Sequence, residues 1–235
     1  MGGGGSTTYT QHCFRLRNDN GSETGATWVQ NLNTNGTFLV DTNYRIRFTL
    51  YNDVLYSFTG ITFNLYVSKN GGAYTAIGTG QAAKYSASSY FTQGDDTTKQ
   101  LYDFDISKTY ITDNNGMCES AGATLSGGTN NYWELEYCIQ VDSSYVDDAD
   151  TLTFRVYSGT TALATYTQTP SITVSEGGGS TDELTATDIT SGVPTVDKPT
   201  LKQVSKRHYV AMEEQPIIVD EDEEEIILYV MEYML

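Results

Sequence analysis

Histidine is scarce in this chain of 235 residues, which contains only His12 and His208. Nucleophilic catalysis needs a base beside the nucleophile, most often histidine, and a third group that orients the base. No such set can be assembled from two histidines near opposite ends of the chain. The sequence also has no glycine-rich phosphate loop between a strand and a helix. We therefore expect no catalytic residues, no cofactor and no enzymatic activity.

Cysteine is also rare, and the three cysteines Cys13, Cys118 and Cys138 cannot all pair within one chain. They lack the close paired spacing of a zinc site. We expect reduced, packed thiols. A Cys118–Cys138 disulfide is the alternative in an oxidising compartment.

Basic residues are few, since 13 Lys and Arg face 30 Asp and Glu and the net charge is −17. This charge repels phosphates and anionic lipid head groups, so neither nucleic acid nor a membrane is expected as a partner. Six of the 30 acidic residues form an unbroken run at 220–225. The start, Met1–Ser6, lacks the features of a secretory signal, and Ile226–Leu235 is shorter than the roughly 20 residues of a membrane-spanning helix. We expect a soluble protein.

Two acidic turns, 18–23 and 142–150, offer the oxygen ligands that calcium prefers. Aligning Gly21 with the glycine of an EF-hand loop puts Leu16 and Thr27 at its first and last ligand positions, so that motif does not fit. Asp, Asn and Gly are explained sufficiently by turn formation. We predict no metal site.

Strand residues are abundant. Tyr44, Ile46, Phe48 and Leu50 alternate with polar residues, which predicts a half-buried strand. Alternation over 133–141 predicts another strand, with Trp133 on its apolar face. With no helical periodicity between strands, the sequence predicts an all-β fold, an antiparallel β-sandwich of immunoglobulin-like or jelly-roll-like type.

Two hairpins are predicted. In the first, the strand containing Phe63 and Val67 turns at 70–72 and returns over 74–77. In the second, the strand 152–156 turns at 158–161 and returns over 162–166. Glycine and asparagine at these turns tolerate positive φ.

Composition divides the chain into four parts. Residues 1–6 form a glycine-rich N-terminal arm, 7–175 the β-sandwich domain and 176–180 a Gly/Ser linker. Residues 181–235 hold too few apolar residues for a second core, so we expect an extended acidic C-terminal arm that binds a neighbouring molecule. The expected partner-binding residues of this arm are Leu184, Ile189, Val193, Pro194, Val196, Leu201, Ile217, Ile218, Val219, Ile226, Ile227 and Leu228.

The polar connections 81–100 and 112–131 are candidate contact loops. Within the first, Tyr85, Tyr90 and Phe91 are the aromatic side chains expected to be exposed for surface recognition, for instance of sugars.

Glu134 and Glu136 share one strand face about 7 Å apart, a separation that would suit two glycosidase carboxylates. Alternating glutamates are also ordinary on a solvated sheet face, where Arg45, Arg47 or Arg155 could pair with them across strands. We adopt this second interpretation.

Two groups of motifs resemble a known family. The segments 15–23, 26–28 and 44–48 (RLRNDNGSE, ATW and YRIRF), with 85–91 (YSASSYF) and the Trp133 strand, resemble β-sandwich modules in structural proteins of tailed bacteriophages. The segment 184–196 (LTATDITSGVPTV), followed by KPTL at 198–201, is similar to phrases that recur in phage virion proteins.

The resemblance implies a non-enzymatic virion structural protein, assembled in the host bacterial cytoplasm. We expect a capsid decoration or cement protein, attached through its arms to other virion proteins, with the major capsid protein as the expected partner and with a homo-oligomeric state. The alternative is a tail-associated adhesion or carbohydrate-binding module.

Overall fold

The computed structural model describes residues 9–52, 57–101 and 108–177, and the backbone of 217–218 and 225–226. The chain divides into two units, Met1–Gly178 and Gly179–Leu235. The described residues contain strands and no helix, so the predicted all-β class is confirmed for this part of the chain. In chain order the strands are β1 Tyr9–Asn18, β2 Gly36–Leu39, β3 Asn43–Asn52, β4 Phe58–Lys69, β5 Thr75–Ala76, β6 Ala83–Tyr85, β7 Thr109–Tyr110, β8 Met117–Cys118, β9 Ala123–Gly127, β10 Asn131–Val141, β11 Thr151–Ser158, β12 Thr161–Ala162, β13 Thr165–Tyr166, β14 Ser171–Ser175, β15 Ile217–Ile218 and β16 Glu225–Ile226.

The first unit contains two sheets. Sheet A has the order β13-β1-β3-β10-β6, with β7 and β8 also paired to β10. Sheet B has the order β2-β14-β11-β4-β5, with β12 paired to β11 and β9 to β4. In the second unit β15 pairs antiparallel with β16.

Both sheets are mixed, which corrects the expectation of a purely antiparallel fold. The long strands β1, β3 and β10 pair antiparallel, as do β4 and β11. The parallel pairs involve short strands: β13 beside β1, β7 and β8 beside β10, and β2 beside β14. Long connections let these short strands approach in either direction, whereas a tight hairpin requires antiparallel pairing.

The two sheets share one hydrophobic core. Leu135 and Tyr137 of β10, and Leu65 and Phe63 of β4, belong to the same buried cluster and have no solvent exposure. The Tyr137 hydroxyl donates to the Phe63 carbonyl at 2.9 Å, which satisfies its polar end inside the core. Each large apolar side chain buried in this way contributes about 1.5–3 kcal/mol to the free energy of unfolding.

The first predicted hairpin is confirmed. Tyr66 of β4 lies opposite Ala76 of β5. The turn between them uses positive φ at Asn70 (50°) and Gly71 (74°), as the sequence indicated.

The second predicted hairpin is confirmed only near its turn. β11 pairs with β12 across Gly159, whose φ is 61°. The predicted return to Tyr166 is wrong, because the chain leaves sheet B after Ala162 and Thr165–Tyr166 pairs with β1 in sheet A. The short strand β13 thereby joins the edge of the opposite sheet.

The expectation of a half-buried strand is wrong for the middle of β3, and the expectation of a solvated glutamate face is wrong for β10. Glu134, Glu136 and Cys138 of β10, which point away from the core, are as inaccessible as Leu135 and Tyr137. The same holds for Arg45 and the other outward residues in the middle of β3. Two irregular segments, 19–28 and 86–101, lie over this outer face and exclude water from it.

Candidate functional site

Five ionisable side chains lie together on the outer face of sheet A. The register places Arg17 of β1 opposite Arg45 of β3, and Arg47 of β3 opposite Glu136 of β10. Glu134 lies two residues before Glu136 and therefore points to the same face. We call these five residues the ion cluster. All five have 0% exposure.

Glu136 is at the centre of the ion cluster because it accepts hydrogen bonds from all three arginines. Arg47 Nη1 donates to its Oε2 at 2.6 Å and Arg17 Nη1 to the same oxygen at 3.1 Å. Arg45 Nη1 donates to Oε1 at 3.2 Å. A buried carboxylate needs compensation of this kind, because an unpaired charge in the interior is strongly destabilising.

Glu134 links the ion cluster to the segment 86–101, which we call the covering loop. Its Oε2 accepts from Arg47 Nε at 2.6 Å. Its Oε1 accepts from the backbone N–H groups of Gln100 at 3.0 Å and Leu101 at 2.9 Å. A loop without strand pairing still has to satisfy its backbone donors, and Glu134 does so at this position.

Two acidic residues extend the network outward. Asp19 pairs with Arg45, accepting from its Nε at 2.6 Å. Glu23 pairs with Arg47 at 2.7 Å and accepts from the backbone N–H of Thr98 in the covering loop at 2.9 Å. Three arginines therefore face four carboxylates, and the cluster with its periphery is close to neutral.

The pairing is visible in the pKa directions. Burial alone would lower the pKa of Arg47, but Glu136, Glu134 and Glu23 outweigh burial and raise it. Burial would likewise raise the pKa of Glu23, but Arg47 and the hydrogen bonds from Thr98 lower it. Both groups are therefore held in their charged forms.

Aromatic rings lie against the guanidinium groups. Trp28 lies 4.5 Å from the Cζ atom of Arg17, measured to the ring centroid. Phe91 of the covering loop lies 4.7 Å from that of Arg45. These cation–π contacts add to the attraction within the cluster and help to exclude water from it.

The ion cluster is a structural feature rather than a set of reactive groups. Every oxygen of Glu134 and Glu136 already accepts at least one hydrogen bond, and neither carboxylate is open to solvent. The predicted cross-strand pairing with Arg45 and Arg47 is confirmed, whereas Arg155 lies in sheet B and does not join it. The expected solvated glutamate face is wrong, because 86–101 covers it.

Of the three aromatic residues predicted on the surface, only Tyr90 is exposed, at 48%. The expectation that Phe91 is exposed is wrong, because its side chain is buried with Met117 and Cys138 beside the ion cluster. Tyr85 is half-buried in β6, and burial raises its pKa, while its hydroxyl accepts from the Leu65 N–H. The side chains of 85–91 therefore do not form one exposed aromatic surface.

Carboxylates of the two acidic turns form salt bridges with lysine and arginine side chains of this chain. Asp142 pairs with Lys84 at 2.8 Å, and Asp150 pairs with Lys69 at 2.7 Å. Asp19 pairs with Arg45 as described above. Among the residues that the structure describes, no group of three or more His, Cys, Asp and Glu side chains could hold a metal ion.

All three cysteines are buried thiols and none forms a disulfide. Cys13 Sγ lies 3.2 Å from the Thr49 hydroxyl. Burial raises the pKa of Cys118 and of Cys138, so both thiols remain protonated and unreactive at neutral pH.

A second group of functional interest lies on the outer face of sheet B, with Tyr166 of the short strand β13 of sheet A beside it. Tyr66 and Tyr157 stack with ring centroids 3.9 Å apart and an angle of 13° between planes. The Cζ atom of Arg155 lies 4.7 Å from the centroid of Tyr74 and 4.5 Å from that of Tyr166. All five side chains are half-buried. We call them the Tyr–Arg face, which the sequence did not indicate because its residues come from four separate segments.

Most of the predicted partner-binding residues of 181–235 lie outside the described residues. The backbone is described at Ile217, Ile218 and Ile226 in the β15–β16 pair. His208 also lies outside, whereas His12 is half-buried in β1.

No family model matches the chain, and comparisons with curated proteins and with solved structures gave no match either. Within the described residues, no helix is long and apolar enough to cross a membrane.

Proposed function

We propose that this chain is a non-enzymatic structural protein of a bacteriophage virion, a capsid decoration or cement protein. In this proposal its body is a β-sandwich of immunoglobulin-like or jelly-roll-like type, and residues 181–235 attach it to other virion proteins, above all the major capsid protein. The observation that carries the proposal is the ion cluster. Its five ionisable side chains are paired with one another and covered by 86–101.

A covered ion cluster suits a structural role for a physical reason. An active site must leave a carboxylate or base open to substrate, with a pKa near the working pH. Here Glu134 and Glu136 instead order the covering loop and join three strands. The hydrogen bonds and salt bridges of these two glutamates therefore stabilise one conformation of the body.

Attachment through residues 181–235 follows from their composition. Short apolar runs such as Ile217–Val219 and Ile226–Leu228 flank the acidic run 220–225. Segments of this kind bind by adding strands to a neighbour's sheet or by filling grooves on it. A virion protein assembled in the host cytoplasm as a homo-oligomer would gain many such contacts per particle.

The test compares particle incorporation of the full chain with a chain that ends at Ser180. The control carries residues 181–235 in scrambled order, which keeps length, composition and charge. Particles purified from host cells producing each chain should contain the full chain and neither variant. Circular dichroism and thermal unfolding should show the body folded in all three. Normal occupancy by either variant would exclude attachment through this segment.

Carbohydrate binding by a tail-associated adhesion module is the second candidate function. The observation that favours it is the exposed ring of Tyr90, which could stack on a sugar. A glycan array probed with the wild type and with Tyr90→Ala separates the two roles. Binding that is lost in the variant supports adhesion, and an array without signal supports the structural role.

A further inference from the structure

Arg155 differs from the other described arginines at its Nε atom, which has no hydrogen-bond acceptor, although its side chain is hydrogen-bonded to that of Tyr74. The three arginines of the ion cluster all form salt bridges with carboxylates. Arg15, which lies 4.4 Å from the Trp28 ring centroid, donates to the Gln30 carbonyl at 2.8 Å. Arg155 has no carboxylate within salt-bridge distance among the described residues, and its Nε is buried without a hydrogen-bond acceptor.

The lack of a carboxylate partner for Arg155 is unusual in so acidic a protein. The chain has 30 carboxylate side chains and a net charge of −17, yet none of the described carboxylates lies within salt-bridge distance of the Arg155 guanidinium. A buried N–H donor such as this Nε is destabilising when it has no acceptor. The rings of Tyr74 and Tyr166 offset part of this cost through cation–π contacts, but they leave the Nε donor without an acceptor.

The tyrosines around Arg155 are already held by contacts with one another and with the backbone. Burial raises the pKa of Tyr166 to about 12, and its hydroxyl donates to Val156 O and accepts from the Leu163 N–H, both at 2.8 Å. Tyr66 lies directly opposite Arg155 in the β4–β11 register and stacks on Tyr157. Little conformational entropy would be lost when a ligand covers such preordered rings.

We propose that the Tyr–Arg face docks an acidic segment of a partner polypeptide. A carboxylate of that segment accepts from the Arg155 guanidinium, and the side chains beside it pack on the tyrosine rings. Charge complementarity selects the carboxylate, because its two oxygens match the fork of guanidinium donors. The rings select a polypeptide over a bare anion, because tyrosine and arginine are enriched where protein partners bury apolar atoms beside polar ones.

The experiment titrates the full chain, labelled with ¹⁵N, with the blocked peptide Gly-Glu-Leu-Glu-Gly and follows the Arg155 Nε–Hε resonance. The matched peptide has Gln in place of both Glu residues. We expect the Glu peptide alone to shift this resonance saturably, with an affinity that falls as salt is added. Backbone amides of β4 and β11 should shift with the same Kd.

Variants locate the site. Arg155→Gln should weaken binding at least about tenfold, which is about 1.4 kcal/mol. Arg155→Lys keeps the charge but not the fork and should lie between Arg155→Gln and wild type. Tyr157→Ala should also weaken binding, whereas Arg15→Gln, another arginine beside an aromatic ring, should bind like wild type. Thermal unfolding of each variant separates lost binding from lost folding.

Three results would overturn the proposal. The first is no shift of the Arg155 resonance at about 10 mM Glu peptide, an affinity too weak for recognition. The second is unchanged affinity in both Arg155 variants. The third is inorganic phosphate binding as tightly as the peptide, which would make the face a general anion site. None of these results depends on residues 181–235, so they leave the attachment proposal to its own test.

Discussion

The outer faces of the two sheets differ in what covers them. On sheet A, three arginines and two glutamates are paired with one another and covered by 86–101. On sheet B, Arg155 and four tyrosines are half-buried, with no carboxylate beside the arginine among the described residues. Charged residues thus have opposite roles on the two faces. Internal pairing stabilises one face, and the missing pairing on the other leaves capacity for a partner.

The largest effect should follow removal of the charge at the centre of the ion cluster. Glu136→Gln leaves Arg17, Arg45 and Arg47 buried without the one carboxylate that accepts from all three, so the free energy of unfolding should fall by about 3–5 kcal/mol. Urea unfolding followed by tryptophan fluorescence measures this change. The matched control is Asp142→Asn, which breaks the partly exposed pair with Lys84 and should cost at most about 1 kcal/mol. Equal losses in the two variants would contradict the comparison.

Adjacent aromatics in the covering loop provide the next contrast. Phe91→Ala removes a buried ring from above Arg45 and should cost about 2–4 kcal/mol. Tyr90→Ala removes an exposed ring and should stay within about 0.5 kcal/mol of wild type. The same unfolding measurement ranks them. A Tyr90 variant as unstable as the Phe91 variant would show that the loop packs differently.

A smaller, pH-dependent effect is expected at Glu23. Because Arg47 and Thr98 lower its pKa below the ordinary value, Glu23 contributes stability above the unfolded pKa of about 4.3 and loses it as pH falls through the folded pKa. The stability difference between wild type and Glu23→Gln should therefore shrink as the pH falls below about 4. Unfolding measured between pH 7 and 3 tests this, and a difference that grows on acidification would reverse the sign.

The smallest effect belongs to Arg155. Arg155→Gln loses the cation–π contacts with Tyr74 and Tyr166 but breaks no salt bridge among the described residues, so it should cost less than about 1 kcal/mol. A loss as large as that of Glu136→Gln would mean that Arg155 has a structural role like that of the ion cluster.

Local patterns in the sequence were enough to predict much of the fold. Alternation identified β3 and β10, and Asn70-Gly71 identified the β4–β5 turn, because both signals depend only on neighbouring residues. The parallel pairing of β13 with β1 was missed because it joins residues far apart in the chain. No periodicity records such a contact.

The candidate sites were less predictable for the same reason. Cross-strand pairing of Glu136 with Arg45 and Arg47 could be expected from two-residue alternation on polar faces. The burial of that face could not, because it depends on the polar, irregular segment 86–101, which reads as an exposed loop. The available signal for a buried, paired face was the arginine that alternates with apolar residues in β3. A guanidinium buried there without a carboxylate partner would destabilise the fold.

The most direct test of the central claim, that the outer face of sheet A is a covered structural ion cluster, is hydrogen exchange of the Gln100 and Leu101 amides. Both donate to the buried Glu134 carboxylate. The account predicts that they exchange as slowly as amides of β10, through an opening of the whole body, and that Glu134→Gln accelerates both. Exchange as fast as that of exposed loop amides in the wild type would contradict it.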